Sequence, residues 1–173
     1  MEVKFTPWRM AYINSGDGPM ITGCVLCALG TMEPAADNLV LYRGTTCYIV
    51  MNKFPYNSAH VMVVPSAHTP DLPGLDTATA NELFELTRRS VALLGDIYQP
   101  HGFNIGMNLG RTAGAGIEAH LHMHIVPRWE GDANFMPIIG GTKLVPEALA
   151  QTWERLRPEF EKKTRRQEDK KKE

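Results

Sequence analysis

The sequence predicts an α+β domain: an antiparallel sheet covered by one amphipathic helix and followed by a second helix near the C-terminus. Three observations lead there. Short runs rich in β-branched and aromatic residues alternate with turn formers, one long stretch carries apolar residues at helical spacing, and a second helical pattern stands near the end.

Each element follows from its own residues. The start, through Gly16-Asp17-Gly18-Pro19 to Gly23, is rich in turn formers with isolated aromatics at Phe5, Trp8 and Tyr12, and reads as an arm laid across the domain. Strands are expected at Leu39 to Tyr42, Thr46 to Met51 and His60 to Val64, with residues 52–58 as a connecting loop. Thr79-Ala80-Asn81-Glu82 has the form of a capping box, and Leu83, Leu86, Ser90, Leu94 and Ile97 then recur at helical spacing until Pro100. Two further strands, Phe103 to Leu109 and Leu121 to Val126, are joined by Gly110-Arg111-Thr112-Ala113-Gly114-Ala115-Gly116. Such small residues let backbone N–H groups approach an anion closely. Leu149, Trp153, Leu156 and Phe160 mark the second helix, and the charged residues beyond it read as a disordered tail. The expected organisation is one domain over residues 1–160, N-terminal arm included, with a tail over 161–173.

A chain of 173 residues, 43% of them hydrophobic, can bury a core without disulfides. Its formal charge of -1 excludes a general attraction to nucleic acid or to anionic membranes, so any phosphate binding must be local. No run approaches the ~18 apolar residues of a membrane span, and the start lacks the apolar core of a secretory signal. A cytoplasmic protein is the expectation. Three cysteines, Cys24, Cys27 and Cys47, are poor material for a disulfide framework and fit reduced thiols better.

The residues that carry chemistry stand in the last expected strand. Alternation would put His120, His122 and His124 on one face, with Leu121, Met123 and Ile125 pointing into the core. Three imidazoles used only as packing would each need partners for their ring nitrogens, which favours a functional surface. Two chemistries stay open at this point. The three rings could cage a metal, although no carboxylate stands nearby. Alternatively, an imidazole attacks phosphorus and is displaced again, with the Gly-Ala loop binding the phosphate oxygens.

His120-Leu121-His122-Met123-His124-Ile125-Val126 is similar at every position to the motif of the histidine triad (HIT) family, in which three histidines alternate with apolar residues. Asn57-Ser58-Ala59-His60-Val61-Met62-Val63-Val64-Pro65 resembles a strand entrance of that family, and Asn108 precedes the Gly-Ala loop as it does there. Pro127-Arg128-Trp129 with Gly131 to Met136 looks like the branch of the fragile-histidine-triad hydrolases and dinucleoside-tetraphosphate phosphorylases. The resemblance implies a homodimer with a ten-stranded sheet, and attack by the middle histidine, His122, on a nucleotide α-phosphate. It implies that His124 binds the phosphate or bridging oxygen, that Asn108, Ala115, Gly116 and Ile117 line a phosphate cradle, and that Asn52 contacts the ribose. Trp129 would stack or pack near the leaving half of a dinucleotide. One departure stands out: where many relatives carry Ser or Thr, this chain has Ile117, so a hydroxyl donor to the leaving group is missing.

Cys24-Val25-Leu26-Cys27 has zinc-ligand spacing, which for a lone pair is a weak signal, since cysteines also serve as small buried hydrophobes. The resemblance implies His68 and His120 as the two remaining ligands of a closed structural zinc site, which would remove His120 from phosphate chemistry. No organic cofactor is expected. The enzyme implied splits dinucleoside polyphosphates and passes the nucleotidyl group to water or to phosphate. A nucleotide-binding signalling module with vestigial catalysis is the alternative.

Overall fold

A computed structural model describes residues 23–132 and 147–169, with backbone alone over 163–169. The expected N-terminal arm, apart from Gly23, and the motif residues from Ala133 to Met136 lie outside these. In chain order the elements are α1 (Val25–Thr31), β1 (Val40–Arg43), β2 (Cys47–Met51), β3 (Val61–Pro65), α2 (Thr77–Tyr98), β4 (Gly102–Gly106), a 3-10 turn (Arg111–Ala113), β5 (Met123–Arg128) and α3 (Leu149–Asp169). The five strands form one sheet in the order β1-β2-β3-β5-β4, with every neighbouring pair antiparallel. This is the α+β architecture that the sequence patterns predict.

Strands β2 and β3 are buried on both faces, and the alternation of side chains divides the work of the sheet. Cys47, Ile49 and Met51 of β2, Val61 and Val63 of β3 and Ile125 of β5 pack against Leu83, Leu86, Leu93 and Leu94 of α2 and Leu156 and Phe160 of α3. The intervening residues Tyr48, Val50, Met62 and Val64 meet Leu26 of α1 and Ile117 of the loop after β4. One face is therefore the main core and the other builds the site. Continuous apolar strands follow directly, since β2 and β3 are buried at every position.

Four details differ from the sequence expectation. Helix α2 begins at Thr77 and is capped by Asp76, whose side chain accepts hydrogen bonds from the Thr79 backbone at 3.0 Å and the Thr79 hydroxyl at 2.6 Å. Glu82 is thereby released from a capping box and instead accepts from the Thr45, Thr46 and Cys47 backbone N–H groups at the β1–β2 turn. Strand β5 starts only at Met123, so His120 and His122 belong to the approach to the strand, not to the strand. The last helix continues into the charged run as far as Asp169, beyond the 161 boundary expected for the tail. Lys, Arg, Glu and Gln are good helix formers, and Arg157–Glu161 and Glu159–Lys162 pairs line its surface. Helix α1 lies in a segment where no helix was expected, because seven residues give too short a periodicity to read.

Candidate active site

The register Met62↔His124 places His124 on the site-building face, beside the apolar residues of β2 and β3. Its ring accepts, at Nδ1, a 3.0 Å hydrogen bond from His60 Nε2. That direction is fixed from further back: the backbone N–H of Tyr56 donates to His60 Nδ1 at 3.1 Å, so the His60 proton resides on Nε2. His124, accepting at Nδ1, then carries its own proton on Nε2. Burial, followed by the neighbouring His122, pushes its pKa down to about 4, which keeps it neutral near pH 7.

His122 is oriented by a separate contact. Its Nδ1 lies 2.8 Å from the carbonyl oxygen of His120, and a carbonyl can only accept, so the proton sits on Nδ1 and the lone pair on Nε2. The His122 and His124 rings meet edge to face with centroids 4.9 Å apart. Ala59, immediately before His60, is held in the left-handed region at φ 57°, a conformation that L residues adopt at a cost. That kink ends the loop from Asn52 and delivers His60, only 1% exposed, beneath His124.

An open cavity of about 620 Å³, counted to its mouth, contains both rings. Asn52, Phe54 and Tyr56 of the loop after β2 line it together with Asn108, Gly114, Gly116 and Ile117 of the segment after β4, and Leu26 and Met62, which share one buried cluster, form its apolar floor. An apolar slot beside glycine backbone suits a flat ring joined to an anion. The Asn52 side chain accepts from the Phe54 N–H at 2.9 Å, which folds the loop into a turn.

A second constellation lies behind the first. One ligand atom each from Cys24, Cys27, His68 and His120 falls within 4.8 Å of all the others. Cys24 Sγ is 3.3 Å and Cys27 Sγ 3.5 Å from His120 Nδ1, and Cys27 Sγ is 3.2 Å from His68 Nδ1. His120 Nε2 donates to the Pro65 carbonyl at 2.8 Å, which leaves Nδ1 unprotonated and aimed at the cluster. Burial pushes the His120 pKa down and so favours the neutral, ligating ring. Two thiols with two imidazoles are a donor set of the kind that zinc takes, with a backbone carbonyl orienting one of them.

A third network ties the cavity to the chain after β5. Asp132 accepts from Arg128 Nε and Nη2, both at 2.7 Å, from Asn57 Nδ2 at 2.8 Å and from the Trp129 N–H at 3.0 Å. Arg128 foremost, then the Trp129 and Asn57 donors, holds this carboxyl at about 2. Arg128 Nη1 also reaches Asn104 Oδ1 on β4 at 2.6 Å. Asn57 ends the loop that carries Asn52, Phe54 and Tyr56, so the cavity's rim is pinned to the turn beyond the histidines.

With this geometry in view, comparison with known proteins is decisive. The family model described as the HIT domain matches residues 33–131. The chain belongs to the HIT family. It is 39% identical over 165 residues to a protein named AP-4-A phosphorylase from Mycobacterium tuberculosis, covering 90% of this chain and 83% of that one. It is 30% identical over 93 residues to the asymmetrical bis(5'-nucleosyl)-tetraphosphatase of Schizosaccharomyces pombe, covering 54% and 50% of the two chains. Among solved structures, a Zn-bound histidine triad family protein from Mycobacterium smegmatis superposes with a TM-score of 0.64 at 23% identity, covering 81% of this chain and 94% of that one. That last likeness speaks for the HIT fold. Together the named relatives make this a protein of a nucleotide-processing enzyme family.

In this HIT chain the structure brings His122, His124, Asn52, Asn108, Gly116 and Ile117 to one cavity, and Cys24, Cys27, His68 and His120 to the neighbouring cluster. Ala115 sits in the same loop, its N–H donating to the Gly110 carbonyl at 3.3 Å and so turned to loop closure. Trp129 is not among the cavity-lining residues; its backbone serves the Asp132 turn instead. The three histidines do not share one face: His120 turns toward Pro65 and the cysteines, away from the other two. Sequence reasoning missed Leu26, Phe54, Tyr56 and Met62, and gave His60 no role beyond its place in a segment that resembles the family's strand entrance. The run of aromatics in Phe54-Pro55-Tyr56, within a loop beside a predicted strand, was the available signal for two of them.

Proposed function

We propose that this HIT protein cleaves dinucleoside polyphosphates, such as diadenosine tri- or tetraphosphate, through a nucleotidyl-histidine on His122. The observation that carries the reading is the tautomer of His122: a lone pair on Nε2, with the Nδ1 proton tied to the His120 carbonyl. Nε2 attacks the α-phosphorus, a P–N bond forms and the P–O bond to the leaving group breaks. The His120 carbonyl stabilises the positive ring so produced, and His124 Nε2–H donates a hydrogen bond to the leaving phosphate oxygen, which departs as the anion, the hydroxyl donor of many relatives being absent at Ile117. In the second half, water or phosphate attacks the phosphorus, the P–N bond breaks to release neutral His122, and the attacking group's proton passes to a phosphate oxygen of the product and on to solvent. The backbone of Gly116 and Ile117 would face the phosphate, the Gly114 and Ala115 N–H groups being spent on closing the loop, with Asn52 at the ribose and the apolar side chains Phe54 and Leu26 at the base.

Zinc is the ion we assign to Cys24, Cys27, His68 and His120, as a structural centre cross-linking α1 to the segments carrying His68 and His120. A homodimer through β4 is consistent with that strand's place at the sheet edge and with Ile105, a large apolar residue 49% exposed on it. Cysteines held as metal ligands and not as disulfides suit a cytoplasmic location. No helix among the described residues is long and apolar enough to cross a membrane.

Product analysis with diadenosine tetraphosphate, with and without inorganic phosphate, tests the reading. AMP and ATP formed without phosphate identify a hydrolase; ADP and ATP formed only with phosphate identify a phosphorylase. Absence of turnover together with tight nucleotide binding would replace the enzyme by a binding module.

A further inference from the structure

We infer that metal and nucleotide bind cooperatively in this protein, with Leu26 as the positioning residue that couples them. The inference rests on the proposed reading that the Cys-His cluster holds zinc and the cavity holds a nucleotide. Leu26 stands between Cys24 and Cys27 in sequence, is 2% exposed, and forms the cavity floor with Met62. The same seven-residue helix thus carries two metal-ligand positions at its start and one wall of the binding slot.

Helix α1 is too short to be stable by itself, and its N-cap Cys24 makes no side-chain capping bond. What anchors it is tertiary. The Tyr48 hydroxyl donates to the Leu26 carbonyl at 2.6 Å, Arg43 Nη1 donates to the Thr31 carbonyl at 3.2 Å, and Leu26 packs on Val40, Val50 and Val64. A metal bound to Cys24 and Cys27 would add a covalent-strength tie on each side of Leu26. Of the two remaining ligands, His120 also reaches the proposed nucleophile, because its carbonyl accepts the hydrogen bond from His122 Nδ1. One ion therefore steadies both the apolar floor and the orientation of the proposed nucleophile.

A ligand that favours one arrangement of α1 must strengthen any second ligand that favours the same arrangement, and the effect is reciprocal. AMP should therefore raise the zinc affinity by the same factor by which zinc raises the AMP affinity, on the order of 5- to 100-fold for a coupling of ordinary size.

The test is equilibrium competition for zinc between the full-length protein and a chromogenic chelator, at increasing AMP. Expected is a tightening of zinc binding that levels off once AMP saturates the cavity. AMP's own weak chelation of zinc acts in the opposite direction and does not mimic it. Leu26→Ala, or the milder Leu26→Val should the first fail to fold, should retain one zinc per chain while the coupling factor falls toward one. Phe54→Ala, which alters a wall remote from the ligands in sequence, should weaken AMP binding and keep the factor. An AMP-independent zinc affinity would overturn the inference. So would a tightening that keeps rising with the logarithm of AMP concentration, which marks unfolding of the metal-free chain and not a local coupling. Failure of the underlying reading is seen separately: zinc would not bind stoichiometrically, or AMP would not bind the zinc-loaded protein at all.

Discussion

His60 Nε2 stands 3.0 Å from His124 Nδ1, and this contact decides on which nitrogen His124 holds its proton. Replacing His60 by Ala removes the donor that fixes the tautomer. We expect kcat to fall about 10- to 100-fold, in line with the loss of a well-placed hydrogen-bond donor to the developing charge, while KM changes much less. His60→Gln, whose amide N–H can still donate, should recover part of kcat. Steady-state kinetics of the two variants at one pH decides; equal losses in both, or a change confined to KM, would contradict this orienting role of His60.

Asp132 draws Arg128, Trp129 and Asn57 together, so its removal should loosen the cavity's rim without touching the histidines. Asp132→Ala is expected to cost about 1–2 kcal/mol, a modest figure because Arg128 is solvent-exposed. The kinetic result expected is a KM raised several-fold at nearly constant kcat. Denaturant titration and a kinetic run on the same sample check both halves.

Glu82 supplies the pH dependence of the β1–β2 turn. Burial alone would raise its pKa, but the Thr46 hydroxyl and the N–H groups of Thr45, Thr46 and Cys47 outweigh it and hold the carboxyl below its ordinary value of 4.5. The native state is thus favoured by ionised Glu82: the contribution is fully present above the unfolded value and is lost as pH falls through the lower folded value. Glu82→Gln should lower stability by about 2 kcal/mol at pH 7 and flatten the acid side of the stability profile. Urea midpoints between pH 7 and pH 3 for the two proteins show whether the curves converge in acid, as required.

Zinc in a closed Cys-His centre is a structural tie, so a chelator should inactivate slowly and in step with a fall in melting temperature. Cys27→Ser should reduce the zinc content and the thermal stability together. Immediate inactivation by chelator with unchanged melting would instead point to a metal taking part in the reaction.

How much of this could be read in the sequence depends on the range of each signal. The strands β2 and β3 were legible because their apolar runs are continuous, and α2 because twenty-two residues allow periodicity to show. Its cap was misread because Asp76 and Thr79 each suit a helix start, and the choice between them rests on a long-range contact of Glu82 with the hairpin turn. The His-X-His-X-His spacing marked a site, but alternation implied one shared face, whereas the segment before Met123 is not in the strand and lets His120 turn away. Leu26 and Met62 look like ordinary core residues in any one-dimensional reading. Only the meeting of α1 with β3 makes them a cavity floor.

The central claim is covalent chemistry at His122, and it is tested most directly by trapping the intermediate. Protein mixed with diadenosine tetraphosphate and quenched in alkali within the first turnovers, where a phosphoramidate survives, is digested and its peptides are weighed. The account predicts an adenylyl group on the peptide carrying His120 to His124, located on His122 and absent from His122→Ala, which also has no turnover. Turnover by His122→Ala at the native rate, or an adduct on another residue, would contradict it.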